Sequence, residues 1–376
     1  MFPPIPTTQP KILVIGPTPP PYHGVAVSTR LILDSPALNC FRLLHLDTTD
    51  RRSIENIGTF EWGNIILGLW HALLFLILIV RQRPDLVYLP ISQGLGGYLR
   101  DLTFLLPARW LRTPAVVHLR GSEFHTFYAQ AGRPMQALIR YSLATTQRVI
   151  VLGASLRRVF EGLVPAERVV VVPNGTRDFT ASLPCREHRE RVRGLFLSNL
   201  RPRKGVFVAL EAAVQALERF PQLEFVFAGG WELEADRQRA CDRLAECGVA
   251  DRILFPGVVV GEQKHQLLLD SDFLVFPPIE PEGQPRVVLE AMAAGLPVIT
   301  TDQGAIAETV VEGETGFVVA TGDVAAIVER IALVLEQPER RRGMSAAARA
   351  RFLAHYTAEA SNAQLAQVFW DVLGGR

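Results

Sequence analysis

Short apolar runs alternate along the chain with longer stretches of helical periodicity, and the pattern is interrupted only once. Lys11–Ile15, Phe41–Leu46, Asp85–Leu89, the run from Ala115, Arg148–Val151 and Val169–Val172 are mostly branched and aromatic residues with little polar alternation. Such runs predict short strands buried on both faces, as in parallel sheets. Helices are predicted between them at Val25–Asp34, Ile65–Val80, Gly94–Leu111 and from about Ser155. Pro173-Asn174-Gly175 ends this series, and the polar stretch up to Arg193 has no periodicity, so residues 176–193 read as a linker. A second series follows, with strands at Gly194–Leu200, Leu223–Ala228, near Ile253–Phe255, Phe273–Phe276 and Val298–Thr300, and a helix after Gly205. Strands and helices at this spacing imply parallel sheets with right-handed crossovers. Two α/β domains are therefore expected, residues 1–175 and 194–352, and then a segment 353–376 whose Thr357–Leu373 stretch reads as an amphipathic helix.

Composition narrows the partners. The chain has 376 residues, long enough for two cores, with 48% hydrophobic and 20% charged residues and a net charge of +1. That charge balance argues against nucleic acid as a partner. Cys40, Cys185, Cys241 and Cys247 have no zinc-type spacing and read as reduced thiols of a cytoplasmic protein. Met1-Phe-Pro-Pro-Ile-Pro6 lacks the basic start and apolar core of a secretory signal. Ile65–Val80 is almost wholly apolar and is followed by Arg81 and Arg83, but its sixteen residues fall short of the roughly 20 that span a bilayer. With Leu102–Leu106, Arg109, Trp110 and Arg112, it offers a second role, an apolar and basic surface resting on a membrane.

The most restrictive stretch is Glu282-Gly-Gln-Pro-Arg-Val-Val-Leu-Glu290, between the strand Phe273–Phe276 and a helix expected to start at Pro285. The helix start offers the backbone N–H groups of Gly283, Gln284, Arg286 and Val287, beside Pro285, to an anion such as phosphate. Glu282 and Glu290 flank it and suit vicinal hydroxyls, because a carboxylate repels phosphate. Lys204 follows strand Leu195–Leu200 and precedes a helix, so its ammonium is the leading cation for the same anion. Asp270-Ser-Asp272 matches the Asp-x-Asp of metal-dependent transferases, yet it lies just before a buried strand and reads as structural.

Glu282 to Ile299, with Leu289-Glu-Ala-Met-Ala-Ala-Gly-Leu-Pro-Val-Ile299, resembles the Glu-x7-Glu signature of retaining nucleotide-sugar glycosyltransferases, specifically glycosyltransferase family 4. The resemblance implies a GT-B fold: α/β, two Rossmann-like domains with parallel sheets facing across a cleft. It implies an acceptor-binding first domain, a sugar-nucleotide-binding second domain and a C-terminal helix crossing back to the first. The implied reaction moves a hexosyl group from a nucleoside diphosphate sugar to a glycan or lipid-linked acceptor, with retention and no cofactor or metal, in cell-surface polysaccharide biosynthesis. A cytoplasmic location, peripheral on the inner face of the membrane, suits such an acceptor. Glu282 would orient hexose hydroxyls, Glu290 would hold ribose, and Lys204 would hold phosphate. Gly24 matches a glycine of a loop near the donor, and His23 departs from that loop's Gly-Gly.

Two further departures leave roles open. The family's G-R-L-x-x-x-K-G pattern has Ser198-Asn199-Leu200 here, so Arg201 or Arg203 must replace the missing arginine, with Ser198 or Asn199 as neutral donors. The family's L-H-G-[ST]-[DE] histidine is Arg120, which leaves Arg120, His118 and His125 as candidates at the reaction centre. A non-catalytic sugar-nucleotide-binding assembly subunit of the same fold remains the alternative. No G-x-G-x-x-G follows the first strand and no P-loop is present, which disfavours a dehydrogenase or nucleotide triphosphatase.

Overall fold

A computed structural model of the chain describes residues 9–50, 62–182 and 191–374. Met1–Pro6, Cys185, and residues 183–190 of the expected linker lie outside the described residues. The chain forms two compact units, residues 1–175 with 358–376, and residues 176–357.

The first unit runs β1 (Lys11–Gly16), α1 (Gly24–Leu33), β2 (Arg42–Asp47), α2 (Trp62–Gln82), β3 (Leu86–Ile91), α3 (Leu95–Trp110), β4 (Ala115–Leu119), α4 (Phe124–Gln130), α5 (Arg133–Leu143), β5 (Arg148–Val151) and β6 (Val169–Val171). Its six strands are all parallel in the order β2-β1-β3-β4-β5-β6, so the chain reverses direction across the sheet between β1 and β3. Ligands of open α/β sheets bind beyond the carboxyl ends of the strands at such a reversal.

The second unit runs β7 (Val192–Leu197), α6 (Val206–Arg219), β8 (Leu223–Ala228), α7 (Glu234–Ala245), β9 (Ile253–Gly257), α8 (Gly261–Leu269), β10 (Phe273–Phe276), α9 (Arg286–Ala293), β11 (Val298–Thr301), α10 (Ile306–Thr309), β12 (Gly316–Val319), α11 (Val324–Glu336) and α12 (Pro338–His355). The order β12-β11-β10-β7-β8-β9 is again parallel and places the reversal between β7 and β10. Leu195, Phe196, Phe225, Phe227, Phe273 and Phe276 fill one core from β7, β8 and β10, as the apolar runs predict for strands covered on both faces.

The last helix, α13 (Ala358–Gly374), belongs to the first unit. Leu365, Phe369 and Val372 pack with Ile12, Val14 and Tyr88, and Ser361 Oγ donates to the Pro173 carbonyl at 2.7 Å. Residues 353–357 instead stay in the second unit, where Thr176 N donates to the Tyr356 carbonyl at 3.0 Å. Strand β7 starts at Val192, inside the stretch read as linker. Phe179, also in that stretch, stacks on His265 at 4.2 Å.

Candidate active site

In the second unit the chemistry collects beyond β7 and β10, the strands at the reversal. The loop after β7 turns at Gly205, whose φ is +80°. A Cβ there would stand 1.8 Å from the Pro277 carbonyl oxygen, so the two loops touch through backbone alone. Ile279 N donates to the Arg203 carbonyl at 3.0 Å and ties them again. The loop after β10 is pinned from β11, with Thr301 Oγ1 donating to the Pro278 carbonyl at 2.6 Å and Ala305 N to the Gly283 carbonyl at 2.8 Å. Gly304, at φ +60°, passes so close that a Cβ would lie 1.7 Å from the Glu282 carbonyl oxygen.

This scaffold brings two lysine–glutamate pairs to the start of α9. Lys204 pairs directly with Glu282, with both side chains largely buried. Lys264, on α8, pairs with Glu290 at 2.6 Å, and Glu290 is only 7% exposed. Lys264 escaped the sequence reading, because Gly261-Glu-Gln-Lys-His-Gln266 has the look of a solvated helix face. Only the packing of α8 on α9 brings it to Glu290.

The other second-unit residues divide by position. Ser198 and Asn199 follow β7 directly, with Ser198 N donating to the Ala228 carbonyl at 3.1 Å, and Asn199 is exposed. Arg201 pairs with Glu232 at 2.5 Å, which occupies one of the two arginines offered as a second cation, while Arg203 is exposed. Pro285 is the cap before α9 rather than its first residue, so the first turn begins with Arg286 and Val287. Gln284 is buried and its side-chain amide donates to Thr309 Oγ1 at 2.9 Å; that side chain supports the loop, leaving Gly283 and Gln284 to act through backbone. Asp272 accepts from Arg193 N at 2.8 Å and lies 4.0 Å from Arg341.

In the first unit a cavity of about 700 Å³ opens beyond β1, β3 and β4, lined among others by His23, Leu67, Leu69, Leu99, Arg100, Phe104 and Arg120. Arg120 is held rigidly: Nη1 donates to Asn174 Oδ1 at 2.7 Å and Nη2 to Tyr88 Oη at 2.9 Å. Tyr88 Oη in turn meets His118 Nδ1 at 2.9 Å. His118 is 1% exposed, and burial first, then the Arg120 charge, push its pKa well below the ordinary histidine value. His118 thus lies in the interior and is joined to Arg120 through Tyr88, while His125 is exposed on α4. Burial raises the Tyr88 pKa, so the phenol stays protonated as a hydrogen-bonding link. His23 caps α1, its Nδ1 accepting from Ala26 N at 3.4 Å. A Cβ on Gly24 would meet nothing within 4 Å, so the protein's own packing does not demand glycine there.

Two family models tile the chain: one described as a glycosyl transferase 4-like domain matches residues 39–175, and one described as glycosyl transferases group 1 matches residues 187–351. The chain belongs to the group 1 glycosyl transferases. This glycosyl transferase is similar to a GDP-mannose-dependent alpha-(1-6)-phosphatidylinositol monomannoside mannosyltransferase of Mycolicibacterium smegmatis, 31% identical over 186 residues, covering 48% of this chain and 47% of that protein. It is also similar to the lipopolysaccharide core biosynthesis mannosyltransferase LpsB of Rhizobium meliloti, 32% identical over 46% of this chain and 50% of the relative. The matches thus span about half the length of these curated relatives. Its fold is GT-B, shared with Anabaena HepE, solved with UDP and glucose, at a TM-score of 0.73 and 17% identity over 96% of this chain and 100% of that one.

Proposed function

We propose that this chain is a metal-independent, retaining hexosyltransferase that moves a sugar from a nucleoside diphosphate sugar to a hydroxyl of a lipid-linked or glycan acceptor. Its place is cell-surface polysaccharide or glycolipid assembly, at the cytoplasmic face of a membrane. The observation that carries this reading is the pair of largely enclosed lysine–glutamate contacts, Lys204–Glu282 and Lys264–Glu290, at the start of α9.

Each part of that arrangement matches one part of a sugar nucleotide. The start of α9 turns its backbone N–H groups and the positive end of its dipole outward, and with Lys204 it favours a diphosphate. When the diphosphate takes Lys204, Glu282 is released to accept hydrogen bonds from sugar hydroxyls. Glu290, kept in place by Lys264, accepts from the ribose. As the bond from the anomeric carbon to the phosphate oxygen breaks, Lys204 and the helix start stabilise the growing charge. The acceptor oxygen bonds to the anomeric carbon on the same face, and its proton passes to the departing phosphate oxygen. Arg120, fixed on the wall of the first unit's cavity, meets an anionic or hydroxyl group of a ligand there. The relatives support the substrate class, since one uses GDP-mannose on a phosphatidylinositol glycan and another acts in lipopolysaccharide core synthesis.

The test is a thermal-shift panel of uridine, guanosine and adenosine diphosphate sugars, followed by transfer assays with chelator present and the anomeric configuration of the product read by NMR. A native-state ligand raises the melting temperature with occupancy. Failure of every sugar nucleotide to stabilise the protein removes the reading. Stabilisation without release of nucleoside diphosphate to any acceptor or water assigns the chain to a binding subunit instead.

A further inference from the structure

Helix α2 uses one face for packing and leaves an equally apolar face outside. Phe75 and Ile79 are buried, with Phe75 set edge-on to Phe104 of α3 at 5.3 Å. On the other face Ile66, Leu69, Leu73, Leu76 and Val80 recur every three or four residues, each between 42 and 67% exposed, and Trp70 broadens the stripe. No charged residue interrupts the helix before Arg81. A surface helix of a globular domain ordinarily presents charge on its outer face, and an apolar patch of this extent marks an interaction surface. Among the described residues no helix is long and apolar enough to cross a membrane.

Helices α2 and α3 both run against the strands, so their C-terminal ends share one end of the unit. There a second cavity, of about 590 Å³, is lined by Arg109, Arg112, Arg148 and Arg168. Arg148 donates to the Gln147 carbonyl at 2.9 Å, Arg168 to the Ala144 carbonyl at 3.1 Å, and Arg109 lies 4.4 Å over the Tyr141 ring. Among the described residues none of the four has a carboxylate partner. Four like charges around one cavity repel unless an anion enters. Arg83 and Arg112, just beyond α2 and α3, hold φ at 47° and 56°, a left-handed conformation that glycine adopts at less cost. Trp110, two residues before Arg112, is 69% exposed, as is suited to the boundary between headgroups and acyl chains.

We propose that α2 lies in the interface of an anionic bilayer and that the four-arginine cavity seats the phosphate of an anionic phospholipid headgroup. At 21 residues α2 extends about 31 Å along that surface. Its opening turns, through Leu67 and Leu69, line the first unit's large cavity, so a lipid's apolar chain passes from the stripe to Arg100 and Arg120 without crossing water. A second copy of the chain paired through the stripe would cover the leucines but leave the arginines unneutralised. The purpose, delivery of a lipid-linked acceptor, rests on the proposed function; the docking itself does not.

The test is flotation of the full chain with vesicles of phosphatidylcholine alone or with about one-third phosphatidylglycerol. Wild type binds the anionic vesicles at least about tenfold more tightly, and less so at high salt. Each arginine near an anionic surface is worth about fivefold, so Arg109→Glu with Arg112→Glu weakens that binding about 30-fold or more. Leu73→Glu with Val80→Glu weakens binding to both vesicle types. These side chains are exposed, so melting curves remain close to wild type, and stabilisation by sugar nucleotide persists in both variants. Equal binding to the two vesicle types, or indifference to the arginine changes, overturns the proposal. A dimer that dissociates in the leucine–valine variant would give the stripe to a second copy, and stabilisation by inorganic phosphate without vesicle binding would give the cavity to a free anion. Bilayer docking without any sugar-nucleotide response would leave the docking standing and remove the proposed function.

Discussion

Removing Lys204 tests the donor site directly, because its ammonium is assigned to the diphosphate and in the free protein it is paired with Glu282. A charge-assisted hydrogen bond contributes about 1.5–3 kcal/mol, which at tenfold per about 1.36 kcal/mol predicts a loss of about 10- to 150-fold in kcat/KM. The existing pair opposes part of this, since the donor must displace Glu282 from Lys204. Side-chain exposures of 20% and 15% leave that pair partly screened, so it offsets about 1 kcal/mol at most. With that full offset Lys204→Ala is expected to lose about 2- to 30-fold, and more where the offset is smaller. Folding is affected less. Glu282 sits on the loop after β10 and loses one partner, a cost of about 1 kcal/mol that lowers the melting temperature of a unit this size by about 2–4 °C. Initial rates of nucleoside diphosphate release, measured across donor concentrations with a melting curve for each variant, separate the two effects. A Lys204→Ala protein with the kcat/KM of wild type would refute the assignment, since even the weak end of the range predicts a loss of about twofold.

Glu290→Ala and Lys264→Met are expected to weaken free nucleoside diphosphate binding by about tenfold or more in titration calorimetry, because one removes the ribose acceptor and the other its anchor; unchanged affinity in both would take the ribose away from this pair. Glu282→Ala is expected to lose turnover while nucleotide affinity changes little, and a matched loss of affinity and turnover would assign it to nucleotide binding instead. The His118 pKa is depressed in the fold, so the unfolded chain takes up the proton first as pH falls. The stability His118 contributes is therefore present above about pH 6.5 and is lost progressively below it, down to its folded pKa. Denaturation midpoints at several pH values should show that slope and a shallower one in His118→Asn; equal slopes would count against a neutral buried imidazole.

The strands were legible wherever they are buried on both faces, as with Phe273–Phe276 and Leu223–Ala228, because that burial leaves a continuous apolar run. Strand β12 was not, since Gly316-Phe-Val-Val319 is four residues among polar ones and gains its identity only by pairing with β11. The same division runs through the site. Glu282, Glu290 and Lys204 lie in local patterns with a recognisable turn chemistry. Lys264, by contrast, is 26 residues from Glu290 and acquires a role only when α8 packs on α9. The surroundings of His118 were hidden in the sequence too. The sequence places it on a strand near Arg120, and only the filled interior around β4 shows that the two are joined through Tyr88.

The two glutamates that frame the motif are held in different ways, and the difference follows from the elements that carry them. Glu290 is on α9 among Val288, Leu289, Ala291 and Met292, all buried, so its carboxylate has little freedom and one fixed cation. That suits recognition of a part of the donor common to every turnover. Glu282 is on a loop, and although the loop backbone is pinned through Pro278, Gly283 and Gly304, its carboxylate shares a lysine that the diphosphate also needs. Under the proposed function, binding of the donor would thus be an exchange of partners at Lys204 rather than a simple addition of charge. The exchange would make a free, oriented carboxylate available only when a diphosphate is present. Glu282 would in this way be coupled to the leaving group, whereas Glu290 is coupled to the fold.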